Sequence, residues 1–164
     1  MKCVALILAL ALLGAVAPTE RDVTPSFTSP ATRSVRFATV DIRIDPKNHP
    51  LAAYQLEVTA DEPSVKLAGV EGGEDAAFRD PPYYDPAALN RNRIILAAFN
   101  TGSDLPAKDF RVARLHVQIA GDAAPNWKVK LSVASASDGS AIAGAIATAK
   151  MSSSPSASTE GAAP

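Results

Sequence analysis

The sequence has a single cysteine, Cys3, which stands before the apolar run of the N-terminal segment. A bacterial lipoprotein would carry its lipidated cysteine after that run. Once a signal segment is removed, the mature chain has no thiol. This excludes disulfides, cysteine nucleophiles and thiolate metal sites, so the folded domain must depend on its hydrophobic core alone.

An excess of charge of either sign is also missing. The 16 basic and 17 acidic residues give a formal net charge of -1, whereas a nucleic acid requires a concentrated positive surface on its partner. We therefore expect no nucleic-acid partner. A chain of 164 residues has the length of one ordinary domain.

Groups that could perform catalysis are few. Only His49 and His116 can supply an imidazole, and no G-x-S-x-G motif is present. The acids that could pair for glycoside hydrolysis or bind Ca²⁺ all fall in one irregular segment, as Glu71, Glu74, Asp75, Asp80 and Asp85. We interpret them as part of a solvated loop and predict no enzyme activity, no cofactor and no metal.

The N-terminal segment has the layout of a secretory signal peptide. Residues 1–17 combine Lys2, an apolar run and a small-residue ending. The run is shorter than the roughly 20 residues of a membrane-spanning helix, so a permanent anchor is the weaker alternative and no stable membrane span is expected after signal cleavage. We predict a secreted, periplasmic or cell-envelope protein.

Two biased segments flank the remaining sequence. Residues 18–34 form a leader rich in Pro, Thr and Ser, and residues 150–164 form a Ser, Ala and Pro tail. Neither has enough apolar surface to offset the entropy of ordering it. Both are predicted to be disordered, which leaves residues 35–149 as the folded domain.

The hydrophobic period in this domain is close to two. Residues 40–45 alternate, but Val35 and Phe37 have the opposite parity, which predicts a bulge or twist near residues 38–39. Further alternating or weaker strand patterns are found in three segments, which are 54–60, 65–71 and 127–135.

Three other segments add to this pattern. Residues 112–120 alternate, and residues 141–149 favour a last strand. Residues 93–99 are continuously apolar, as is typical of a strand in the middle of a packed sheet. Six or seven antiparallel strands with Gly, Pro and Asn turns predict an all-β fold, an antiparallel β-sandwich of jelly-roll type.

Two stretches resemble cohesin-like domains. "VDIRIDPKNHPLAAYQLEVTADEPSVKLAGVEGGE" opens in the same way, with Ala53, Tyr54 and Gln55 beginning the second strand, and "RIILAAFNTGSDLPAKDFRVARLHVQIAG" is similar to the later strand pair. The similarity covers residues 35–135 and extends to carbohydrate-binding jelly-roll domains. It implies a non-enzymatic extracellular binding role, commonly in polysaccharide-degrading systems. No dockerin-facing surface is identified, so that activity is not carried over.

The segment "FRDPPYYDP", residues 78–86, has neither helical nor strand spacing. Its residues 81–84 match the Pro-Pro-x-Tyr ligand of WW domains. These domains act in the cytosol, so a secreted chain would not meet them and we interpret the match as accidental. In one interpretation Tyr83 and Tyr84, with Asp85, display rings for sugars or a protein partner. In the other, one tyrosine folds back onto the sandwich, the prolines stiffen the connection and Phe78 anchors it.

Aromatic residues are scarce, at 5% of the chain, which weakens the case for carbohydrate binding because sugar-binding faces usually use several exposed rings. The sole tryptophan, Trp127, begins an alternating strand on its apolar side, and this favours core packing over a sugar platform.

We therefore expect a non-catalytic binding module for a polysaccharide or an extracellular protein. Carbohydrate binding through Tyr83, Tyr84 and Asp85 is its more specific form. The alternative is a protein-interaction module or structural envelope component that binds through a sheet face or edge, as cohesins do. An enzyme, the third possibility, would require the acids of residues 71–85 to converge in a cleft.

Overall fold

The computed structural model describes residues 34–122 and 124–152. This part of the chain forms seven strands, which are β1 Val35–Asp45, β2 Ala53–Ala60, β3 Val65–Gly72, β4 Arg93–Phe99, β5 Phe110–Ala120, β6 Trp127–Ser135 and β7 Ile146–Ser152. Two short 3-10 helices, Ala76–Phe78 and Pro86–Ala88, lie between β3 and β4. The predicted signal peptide, the leader before Ser34 and the tail beyond Ser152 lie outside the described residues.

The strands form two antiparallel sheets. One has the order β3-β5-β1-β7 and the other the order β4-β2-β6, and every strand pair is antiparallel. The predicted all-β antiparallel sandwich is confirmed. The jelly-roll type stays a prediction.

Alternation along the strands builds the core between the sheets. In β1 the side chains of Val40, Ile42 and Ile44 are fully buried, and in β2 Leu56 is as well. Since burial of such a side chain contributes about 1.5–3 kcal/mol, this layer is the main source of stability. The other large fully buried side chains are Tyr54, Leu51, Leu67, Ile94, Leu96, Leu115, Ile119 and Val58.

The bulge predicted in β1 is wrong. The β1–β5 register runs without a shift past residues 38–39 and changes only at Ile42/Arg43, where Val112 of β5 is the extra residue. The bulge lets both Val112 and Ala113 be buried. Because β1 itself keeps its parity, Val35 and Phe37 stay on the outside, 50% and 68% exposed.

The prediction that β4 lies in the middle of a sheet is also wrong. β4 is at the edge of the three-stranded sheet. Ile94 and Leu96 point into the core, whereas Ile95 and Phe99 are exposed. The continuous apolar run therefore reflects an outer face that is itself apolar, and not burial of both faces.

The last strand begins and ends later than the sequence indicates. Gly144, with a φ of 74°, lies in the turn that precedes it, and Ile142 is buried before the strand starts. The strand then continues through residues 150–152, which the sequence assigns to the tail, because Met151 packs against the core.

Charged pairs occupy part of the outside of the four-stranded sheet, and we call this group of side chains the ion-pair face. It comprises Asp41, Arg43, Glu71, Arg111, Arg114 and His116. Arg114 donates two hydrogen bonds to Asp41, at 2.7 and 3.1 Å, and these bonds hold the pKa of Asp41 below its ordinary value although burial opposes the shift. Arg43 bridges Glu74 and Asp109.

Candidate binding face

The connection between β3 and β4 is anchored by Phe78, as one of the two interpretations predicts. The Phe78 ring is 4% exposed and packs against Tyr54 and Phe110, with centroid distances of 5.5 and 5.8 Å. Burial raises the pKa of the Tyr54 phenol, which donates a hydrogen bond to the carbonyl of Val112. The loop therefore leaves the sandwich from a fixed point.

The acids in this connection serve mainly to shape it. Asp75 and Asp85 each begin a 3-10 helix, and their carboxylates accept the N–H of Ala77 and Ala87 at 2.9 Å. Asp85, predicted as part of the ligand site, is thus engaged by its own backbone. Asp85 therefore orders the loop next to Tyr83 and Tyr84.

The two tyrosines point in different directions. Tyr84 is half-buried and packs against the core, whereas Tyr83 is 72% exposed. The Tyr83 N–H donates to the carbonyl of Ala97 at 2.7 Å, and the Ala97 N–H donates back at 3.0 Å. This bridge pairs Tyr83 with the edge of β4, so its ring is held on the sheet while Tyr84 belongs to the scaffold.

Tyr83 meets a second ring that sequence reasoning missed. Its ring and that of Phe99 lie nearly parallel, at an interplanar angle of 12° and a centroid distance of 6.3 Å. Phe99 is 67% exposed. Its position in β4 could have indicated this, because Phe99 lies on the same outward side of the strand as Ile95. The apolar run is continuous, however, so no alternation of polar and apolar residues marks that side.

These rings belong to the outer surface of the three-stranded sheet, which we call the open face. It consists of outward side chains of the three strands together with Tyr83, and these are Ala53, Gln55, Glu57, Thr59, Arg93, Ile95, Ala97, Phe99, Lys128, Lys130 and Val133. Gln55 stands between Ala97 and Val133 in the cross-strand register. Tyr83, Ile95, Phe99 and Val133 are all exposed there, so the face combines apolar area with an amide.

Charges lie at the far end of the open face from the rings. Arg93 donates to both carboxylate oxygens of Glu57, at 2.9 and 2.8 Å. These bonds lower the pKa of Glu57 most, and the charge of Lys130 adds to the shift. Lys128 and Lys130 are exposed and stand opposite Thr59 and Glu57. The face is therefore apolar at one end and charged at the other.

The other candidate catalytic groups do not converge. Glu74 accepts the backbone N–H of Arg111 at 2.8 Å, Glu71 contacts His116 at 2.7 Å on the ion-pair face, and His49 lies exposed in the turn after β1. Among residues 34–122 and 124–152, no three His, Asp or Glu side chains are close enough to hold a metal ion.

Trp127 is half-buried and packs against the core, which agrees with the packing role expected from its position. Its indole Nε1 is buried and has no hydrogen-bond partner. It contributes to the edge of the sandwich and is not displayed beside Tyr83 and Phe99.

A cleft of about 560 Å³ runs beside the edge of β4. Its walls are the Arg93–Ile95 stretch of the strand and the second 3-10 helix, with Pro63 and Val65 also lining it. It lies next to the open face but is formed by the strand edge.

Comparisons with protein-family models, with curated proteins and with solved structures find no match for this chain. In the described part of the chain, no helix is long and apolar enough to cross a membrane. The fold and the site define an antiparallel β-sandwich that carries an exposed aromatic pair on one sheet.

Proposed function

We propose that the protein is a non-catalytic binding module of the secreted or cell-envelope compartment and that it binds polysaccharide through the open face. The observation that carries the proposal is the parallel pair of exposed rings, Tyr83 and Phe99, on the surface of a sheet. The cohesin-like resemblance, with its link to polysaccharide-degrading systems, supports the same class of protein.

The chemistry of this surface suits a sugar polymer. The C–H faces of a pyranose ring are apolar and pack flat against an aromatic ring, while its hydroxyls need hydrogen-bond partners. The open face offers rings beside the exposed amide of Gln55, and hydrogen bonds fix the backbone at Tyr83, so no loop has to be ordered on binding. An apolar exposed cluster rimmed by polar groups is typical of an interaction site.

The test is retention of the purified protein on insoluble polysaccharides and affinity electrophoresis with soluble ones. Wild type is compared with Tyr83→Ala/Phe99→Ala, and we expect the double variant to lose retention. Phe37→Ala is the matched control, because it removes an equally exposed ring from the other sheet. Tyr84→Ala removes the half-buried ring that packs against the core. Its retention shows whether disturbed packing of the loop, without loss of an exposed ring, weakens binding. If wild type is retained on none of the polysaccharides tested, the proposal is contradicted.

A protein partner that adds a strand to the edge of β4 is the second candidate, in keeping with a cohesin-type role. The Ala97 backbone groups turn away from β2 to bond Tyr83, so those of Ile95, two residues earlier, turn the same way. No strand of the described residues pairs there, and the cleft runs beside it. Strand addition to such an edge is a common recognition mode.

Ile95→Pro tests this candidate, because proline removes an outward N–H that the fold does not use. Loss of capture of an envelope protein by Ile95→Pro, with capture kept by Ile95→Val, would favour the strand edge over the rings. Capture that is equal in both variants would exclude it.

A further inference from the structure

The charges of the open face are unevenly matched. Its strands carry three cations, Arg93, Lys128 and Lys130, and one acid, Glu57. Asp61, one residue past the end of β2, is already engaged, because both of its oxygens accept hydrogen bonds from Asn126, at 2.8 and 2.9 Å. The chain as a whole has a net charge of -1, so the positive end of this face is a local feature.

The two lysines have no ion-pair partner within 4 Å in the described part of the chain. They act on Glu57 and Asp61 only through longer-range attraction, which adds to the larger effects of Arg93 and Asn126 on the pKa of these two groups. Glu57 already holds Arg93. The ammonium groups of Lys128 and Lys130 are therefore available to a ligand.

The rings and the lysines lie at opposite ends of a diagonal across the sheet, because Phe99 is on the edge strand β4, with Tyr83 paired outside it, and Lys128 and Lys130 are on the other edge strand, β6. Arg93 and Lys128 flank Thr59 from its two sides, which places their backbones about 10 Å apart. Arg93 is four residues before Ala97, the position that Tyr83 pairs with, and this corresponds to about 13 Å along the strand. A polymer that crosses β2 obliquely thus passes from the rings to the lysines over about 20 Å, which is a few sugar units.

We propose that the ligand of the open face is an acidic polysaccharide, with sugar rings on Tyr83 and Phe99 and carboxylates at Lys128 and Lys130. The inference rests on the proposed function, which it narrows from polysaccharides in general to those that carry uronate groups. Neutral polymers would use the rings and leave the lysines unsatisfied. An acidic polymer uses both ends of the face.

The test compares polygalacturonate with its fully methyl-esterified form, which has the same backbone without the charge. We expect the purified protein to bind the acid form about tenfold more tightly, the effect of two or three exposed ion pairs. Raising the salt concentration from about 0.05 M to about 0.5 M should remove most of this difference, because screening shortens the range of exposed charges.

Matched variants locate the effect. Lys128→Gln/Lys130→Gln should bind the acid form about as weakly as wild type binds the ester. Lys66→Gln/Lys108→Gln, which removes two exposed lysines elsewhere in the fold, should leave the preference unchanged. Equal loss in both double variants would overturn the inference, since the effect would then be one of net charge.

The outcomes distinguish this inference from the proposed function. Equal binding of the acid and its ester overturns the inference and leaves polysaccharide binding in place. Binding of poly-L-glutamate as tight as that of polygalacturonate also overturns it, because the rings would then have no part. Retention of none of the acidic or neutral polysaccharides contradicts both proposals.

Discussion

The outer surfaces of the two sheets differ in how their side chains are satisfied. On the ion-pair face, Arg114 and Arg111 both contact Asp41, and His116 contacts Glu71. On the open face, exposed rings stack only on each other and two lysines have no ion-pair partner within the described residues. The six side chains of the ion-pair face already have their partners within the fold, although Val35 and Phe37 are exposed on the same sheet. The open face differs in carrying two exposed rings that lie parallel to each other, and this is why we assign binding to it.

The largest expected effect comes from the ring that ties the Tyr83 loop to the core. Phe78→Ala removes a buried ring from between Tyr54 and Phe110 and should lower the free energy of unfolding by about 3–5 kcal/mol. Urea unfolding followed by Trp127 fluorescence measures the change. Phe78→Leu, which keeps most of the volume, should recover most of the loss. A cost below about 1 kcal/mol for Phe78→Ala would contradict the anchoring role.

Asp41→Asn should destabilise the fold through the ion-pair face. The substitution removes the charge that holds Arg114 and Arg111, and we expect a loss of about 1–2 kcal/mol, because hydrogen bonds to a charged group that is only 19% exposed are lost. Polysaccharide binding by the folded fraction should be unchanged. If polysaccharide binding by the folded Asp41→Asn variant were weaker than that of wild type, the two surfaces would not be separate in function.

The dependence of stability on pH sharpens the same contrast. Hydrogen bonds from Arg114 lower the pKa of Asp41 in the folded state, so on acidification the unfolded chain takes up this proton first. The stabilisation is therefore complete above about pH 4 and is lost as the pH falls through the lowered folded value. Unfolding curves between about pH 2 and pH 6 should show a smaller loss for Asp41→Asn than for wild type. Identical slopes would contradict this origin.

Removal of the open-face rings should have the smallest effect on stability. Because both rings are more than half exposed, Tyr83→Ala/Phe99→Ala should change the free energy of unfolding by only about 0.5 kcal/mol, measured by the same urea titration. The variant is then a clean probe of binding. A loss of several kcal/mol would mean that the rings are part of the scaffold.

The strand interiors could be predicted from the sequence because alternation reports burial directly. Tyr54, Leu56 and Val58 are buried as their parity indicates. The position of the bulge could not be predicted from β1 alone. The unpaired residue is Val112, which belongs to β5, and the sequence of β1 does not show which residue of its partner strand is left out of the pairing.

The candidate site was only half visible from the sequence. The local sequence predicted Tyr83 as a candidate ligand-binding residue and Phe78 as the residue that anchors the connection. The partition between Tyr83 and Tyr84 is set by the backbone bridge to Ala97, a contact between segments far apart in the chain. Phe99 was missed since its neighbours Ala97 and Ala98 make an edge strand look like a buried one.

The most direct test of the account is the retention of three proteins on a panel of polysaccharides, which are wild type, Tyr83→Ala/Phe99→Ala and Phe37→Ala. We expect wild type and Phe37→Ala to be retained on at least one polymer, and the double variant, although folded, not to be retained. Equal retention of all three proteins, or retention of none, would contradict the assignment of binding to the open face.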